Sequence, residues 1–277
     1  MQGTTDRFEH PADVAQFRHP AARPGVELYR AHIVHHAFEP HLHDGFGLGA
    51  IETGVERFRY AGAEHLAPPD SIVLMNPDEL HTGHAETRDG WRYRMIYIEP
   101  AVLAEISGAS PWWFEDTVVD GEGQRARCVS RLLDALWRAH EPLAFDSLLL
   151  RLIDELRPHA RVSVAARDER PAQHRFAPVL EYMQAHLDRR LSLEELAAVA
   201  ALSPFHFLRS FRAQCHATPQ QMLMARRLAL AKRLLTLGDA PAGVAAATGL
   251  TDQAHLTRAF LHRYGTTPGR YQRELRR

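Results

Sequence analysis

The chain is poor in cysteine, nearly devoid of lysine and without a long apolar run. Its 277 residues include two cysteines, Cys128 and Cys215, one in each half. Two isolated thiols argue against a disulfide framework and fit a reducing cytoplasm. No uninterrupted apolar stretch approaches the ~20 residues that span a bilayer, so no membrane partner is expected. The opening MQGTTDRFEHPADV has neither a basic start nor an apolar core, so no secretory signal is expected in it. Every basic residue except Lys232 is an arginine, a bias that suits bidentate contacts to bases and phosphates. Net charge is also nearly absent, at −1, but the sum hides an asymmetry. From Phe176 onward 14 basic residues stand against 7 acidic ones, which leaves 19 against 27 in the rest. A basic C-terminal half on an acidic N-terminal half is the arrangement of a phosphate-binding module joined to a separate domain. The length allows two such domains with separate cores.

What is present is an internal repeat between Leu191 and Tyr271. The first copy reads LSLEELAAVAALSPFHFLRSFRAQCHATPQ and the second APAGVAAATGLTDQAHLTRAFLHRYGTTPGRY. Phe211 falls on Phe260 and Pro219 on Pro268, whereas Ala197 falls on Ala245 and Leu202 on Leu250. The second copy therefore carries one extra residue near its turn or helix start. Repeats of this size are two copies of one supersecondary unit. In the first copy Ser192 and Glu195 form a capping-box pair, and Ser203-Pro204 starts a second helix. Phe207 and Phe211, four apart, share one face and leave His206 and Arg209 on another. In the second copy Gly249 supplies the turn, Thr251 is the expected cap, and Leu256 and Phe260 repeat the spacing. Gln253, His255 and Arg258 are left off that face. An apolar side that holds the helix and a polar side with base-reading residues is the pattern of a recognition helix. Pro219 to Leu237 reads as one long helix between the two units.

Ala197, Leu202-Ser203-Pro204, Arg209, Phe211, Pro219, Gly249-Leu250, Arg258-Ala259-Phe260, Gly265 and Thr267-Pro268-x-x-Tyr271 carry a resemblance to the AraC/XylS family of transcription regulators. It covers about 100 residues, 176–277, and implies two helix-turn-helix units joined by a long helix. His216 departs from the family pattern, standing where the second copy has Gly265. A left-handed backbone is expected on it. The resemblance makes Arg209 and Arg258 the base-reading candidates, with Phe205, His206, Gln253 and His255 beside them. Arg212 and Arg263 are expected on phosphate.

The acidic half alternates short strands with turns, at 26–30, 47–52, 55–60, 71–75 and 91–98, which argues for an all-β barrel or sandwich. His35, His36, His41, His43, His65, His81 and His84 cluster there. His41-x-His43 with Pro77-x-Glu79-x-His81, and the phrases Glu52-Thr53-Gly54 and Pro69-Asp70, resemble the cupin-type sensory domain of many AraC-like regulators. The resemblance covers about residues 25–98. It implies that His41, His43 and His81, with Tyr93, bind a small molecule. Metal-binding cupins carry a glutamate three or four residues past the second histidine. Phe46, Gly47 and Leu48 stand there, so neither a metal nor another cofactor is expected. Two amphipathic helices follow, from Gln124 and after Pro142; they either dimerise or pack on the barrel.

The expected class is α+β with two domains. Residues 1–24 form an extension, 25–157 a cupin-like barrel with two trailing helices, 158–175 a linker, and 176–277 an all-α double helix-turn-helix domain. The resemblance implies a cytoplasmic, ligand-responsive regulator without catalytic residues. Its partners are promoter DNA, a small-molecule effector and a second copy of the chain, with contact to RNA polymerase left open. The alternatives are a cupin-type metal-dependent enzyme with an appended helical domain and a DNA-binding scaffold whose barrel only dimerises.

Overall fold

The computed structural model describes residues 8, 10–21, 23–161 and 171–275. Strands β1 (Val14–Arg18), β2 (Val26–Ile33), β4 (Phe46–Thr53), β7 (Ile72–Met75), β9 (Trp91–Ile98) and β10 (Val118–Val119) form one sheet in the order β1-β2-β9-β4-β7-β10. The others, β3 (Phe38–His41), β5 (Glu56–Tyr60), β6 (Ala63–Ala67) and β8 (His81–Ala85), form a second in the order β3-β8-β5-β6. Tyr29, Ile33, Ile51, Trp91 and Tyr93 of the first sheet pack with Phe38, Phe58 and Tyr60 of the second. The expected barrel is thus two sheets packed together; among the described residues no ladder closes them.

Helices α2 (Gly123–Arg138) and α3 (Pro142–Leu156) cover the other face of the larger sheet. Val129, Leu132, Leu133, Leu136, Leu149, Leu152, Ile153 and Leu156 bury their stripe on Val26, Leu28, Leu48, Leu74, Ile96 and Ile98. Packing on the sheet therefore accounts for the apolar face of both helices. Central strands covered on both faces lose their alternation, which is why β4 reads apolar throughout its first six residues. Strand β1 lies inside the stretch expected as an extension. Its Arg18 donates to the carbonyls of Leu136, Trp137 and Ala139, satisfying the open end of α2. A short helix, α1 (Pro100–Ser107), was also not expected. Residues 162–170 of the expected linker lie outside the described residues, and α4 (Pro171–Ala185) begins directly after them.

The C-terminal half is helical: α5 (Leu193–Val199), α6 (Pro204–Cys215), α7 (Pro219–Thr236), α8 (Pro241–Ala247), α9 (Gln253–Tyr264) and α10 (Pro268–Leu275). The capping box of Ser192 and Glu195 opens α5. A second box, Thr218 with Gln221, opens α7. Ser203 takes the extended N-cap backbone without a side-chain bond. At α9 the cap is Asp252, one residue past the expected Thr251; its carboxylate accepts the His255 amide at 2.7 Å. His216 adopts φ 54 as expected, and Gly265 φ 67. The two positions differ in what surrounds them. A Cβ on Gly265 would sit 1.8 Å from the Phe8 ring, so that site excludes any side chain. The His216 imidazole instead fills the space over Gly62 of the β5–β6 turn.

Candidate nucleic-acid interface and ligand chamber

Helices α6 and α9 are each 12 residues long and lie on either side of α7 in the chain. At 1.5 Å per residue the 18-residue α7 is about 27 Å long, near the ~34 Å of one DNA turn. Phe207, Phe211, Leu256 and Phe260 are fully buried anchors. Phe205 (85% exposed), His206, Arg209 and Arg212 face solvent on α6, and so do Gln253 and Arg258 on α9. His255 is half-buried, its ring against Thr251. Among the described residues no acid pairs with Arg209, Arg212 or Arg258, so the basic face is not neutralised from within.

Arg263 is a correction. It is 4% exposed, and its Nη1 donates to the carbonyls of Glu39 and Pro40 at 2.9 and 2.8 Å. Arg212 follows its anchor by one residue and points outward. Arg263 follows Phe260 by three, which returns it to the buried face. There it locks α9 to β3 and is not presented to phosphate.

Between the two sheets lies a small chamber of about 40 Å³. The four expected residues, His41, His43, His81 and Tyr93, all line it. Strand pairing explains the convergence: His41 of β3 stands directly opposite His81 of β8. Met95 and Tyr97 continue the face that Tyr93 begins, by period-two counting along β9. The sequence reading missed Tyr29 and Glu56, and also Lys232, Arg263 and Tyr264, through which the helical half closes the chamber. One signal was available for Lys232. It is the chain's single lysine, and it falls on the stripe of Leu228, Ala231 and Leu235, where an apolar residue belongs.

Lys232 Nζ lies 2.5 Å from Glu27 Oε1 of β2, and His19 Nε2 lies 2.8 Å from Oε2. The rings of Phe17, Tyr97, Tyr264 and Tyr271 surround the ammonium at 5.0–5.8 Å. Burial pushes the Glu27 carboxyl up, but Lys232 and His19 outweigh it and hold it down at about 2. A second cavity, of about 140 Å³, lies on the far side and shares His43, Tyr97, Lys232 and Tyr264 with the first. Inside the chamber, desolvation keeps the imidazoles neutral: His81 falls to about 3 and His43 well below its ordinary value.

Among the described residues no cation compensates Glu56, and burial pushes it up to about 8. Its folded value lies above its unfolded one, so the stability it contributes is complete below about pH 4.5 and is lost as pH rises through 8. Glu56→Gln should therefore leave unfolding free energy unchanged near pH 4.5. At pH 8 it should raise it by several kcal/mol, at ~1.4 kcal/mol for each tenfold difference in proton affinity between folded and unfolded chain. Urea titrations at the two pH values measure the difference; an equal effect at both would show that the carboxyl is solvated.

Residues 23–174 match the profile described as AraC-like ligand binding domain, and residues 196–274 match a helix-turn-helix domain. YbfI of Bacillus subtilis, an uncharacterized HTH-type transcriptional regulator, is 28% identical over 83% of this chain and 86% of its own length. The HTH-type transcriptional activator RhaS of Klebsiella pneumoniae is 22% identical over 84% and 86%. Among solved structures, ToxT of Vibrio cholerae with an unsaturated fatty acid bound shares the fold at TM-score 0.55 and 9% identity, over 90% of this chain and 95% of its own.

Proposed function

Since this chain belongs to the AraC-like family of DNA-binding transcription regulators, we propose that its effector enters the chamber behind His41, His43, His81 and Tyr93 and acts on DNA binding through Lys232 and Arg263. The observation that carries this reading is the shared wall. Lys232, Arg263 and Tyr264 of the helical half line the cavity of the sensory half. A ligand that moves these side chains changes how α7 and α9 sit on β3, and so biases the geometry of the recognition helices. Base reading falls to Arg209 and Arg258, with Phe205, His206, Gln253 and His255 beside them, and Arg212 takes a phosphate. Homodimerisation fits the exposed Leu143 and Leu150, seven residues apart on α3. The chain acts as a regulator in the cytoplasm and performs no catalysis. Contact with RNA polymerase is part of the same reading.

A fragment from Arg175 to the C-terminus tests the division of labour. Phe176, Phe207 and Phe211 pack together without the sheets, so the first unit has its own core. The fragment should bind promoter DNA without effector and with a steep salt dependence, roughly one unit of log–log slope per phosphate contacted. The full chain should gain or lose affinity when effector is added. A folded fragment that shows no salt-dependent binding would reject the reading.

A further inference from the structure

His41 and His81 are opposed across the β3–β8 ladder, and His43 follows two residues after His41. Their ring centroids lie 4.0 Å (His41–His81), 5.1 Å (His41–His43) and 5.1 Å (His43–His81) apart. One ring nitrogen from each falls within 4.8 Å of the others. Two of the rings are held in the same way. His41 Nδ1 donates to the Glu39 carbonyl at 3.0 Å, and His81 Nδ1 donates to the Glu79 carbonyl at 2.9 Å. A carbonyl only accepts, so each Nδ1 carries the hydrogen and each Nε2 keeps a bare lone pair. His43 Nε2 is buried and has no hydrogen-bond partner among the described residues. Imidazole nitrogens gathered this closely, one of them buried without a partner among the described residues, are unfavourable in a dry interior.

We propose that His41, His43 and His81 form a three-nitrogen site for a divalent first-row transition-metal ion such as zinc, with its open coordination positions toward the chamber. Imidazole nitrogens suit zinc, iron, nickel and copper, and are poor partners for calcium or magnesium. The backbone carbonyls behind His41 and His81 do what outer partners do in metal sites: they fix the tautomer and aim the ring. Zinc–nitrogen bonds of about 2.0–2.1 Å draw the three atoms somewhat closer than they stand, which small ring rotations supply. A cavity of about 40 Å³ has room for an ion and a few waters. The glutamate expected of metal-binding cupins is indeed absent after His43. Three ring nitrogens nevertheless make a complete set of the open kind, in which the remaining positions belong to water or a ligand. The ion site does not depend on what the effector is.

The test uses the full chain, stripped with chelator and titrated with cobalt(II) as a spectroscopic probe and with zinc for elemental analysis after gel filtration. One equivalent of either ion per chain is expected, with a cobalt spectrum of nitrogen ligation. His43→Ala and His81→Ala should each weaken affinity at least about 100-fold, whereas His84→Ala, at an exposed histidine of the same strand as His81, should not. Stoichiometric binding retained by a folded His43→Ala protein overturns the proposal. So does a wild-type protein that takes up no cobalt, a result that stands even if a variant fails to fold. Operator binding is recorded on the same samples. Metal uptake without any effect on regulation leaves this site standing and counts only against the effector reading.

Discussion

Replacing Lys232 by methionine is expected to destabilise the protein by about 3–5 kcal/mol at neutral pH, the usual result of removing one partner from a buried ion pair. Methionine keeps the length needed to fill the ring cage of Phe17, Tyr97, Tyr264 and Tyr271 but leaves Glu27, among the described residues, with His19 and the Tyr271 hydroxyl. The pH dependence distinguishes lost charge from lost packing. Glu27 sits at about 2 in the folded chain, below its unfolded value near 4.5. Its contribution is therefore complete above 4.5 and disappears as pH falls toward 2. The difference between wild type and variant should shrink over that window. Adding Glu27→Gln to Lys232→Met should recover most of the loss, because neither position of the pair then carries a charge. Urea unfolding of the two single variants and the double variant gives the coupling directly. A single-variant effect below about 1 kcal/mol at pH 7, in the range of exposed pairs, would show that the pair does not hold the two halves together.

The second large effect separates two arginines on one helix. Arg258→Ala removes an exposed guanidinium that no acid among the described residues pairs, and should weaken binding to the preferred operator by about 1–3 kcal/mol, with relaxed specificity at one base pair. Arg263→Ala should do something different. Its removal orphans the Glu39 and Pro40 carbonyls, at a cost of about 1–3 kcal/mol in stability. The salt slope for DNA should stay unchanged, because Arg263 contacts no phosphate. Affinities of both variants on matched and scrambled operators, across a salt series, check the pair of statements. An Arg258→Ala protein with full discrimination removes Arg258 from base reading. A slope reduced by about one unit in Arg263→Ala would return that residue to phosphate.

These two residues mark the reach of local sequence patterns. The capping box at Ser192, the buried Phe207, Phe211, Leu256 and Phe260, and the left-handed backbone at His216 all follow from residues within four or five positions of one another. Helix periodicity and capping are local, so the double helix-turn-helix was legible in the chain alone. Strands β5 and β9, which carry period-two patterns, were legible for the same reason. Arg263 was assigned by analogy with Arg212, although three residues past an anchor and one residue past it lie on different faces.

What only the tertiary structure decided is what pairs across long separations. Strand β3 contains Pro40 and β8 reads HTGHA, so neither announces itself by periodicity; their register, which sets His41 opposite His81, exists only in the folded sheet. Strand β1 falls in the stretch expected as an extension although β2 follows it closely; the helix end that Arg18 caps lies 118–121 positions away. The ion pair of Lys232 with Glu27 joins residues 205 positions apart. A charge on an apolar stripe is by itself a sign that something compensates it, since burial of an unpaired charge is prohibitive. Which carboxylate does so, and that the same lysine walls a chamber in the other half, are set by how the sheets and the helical half pack against each other.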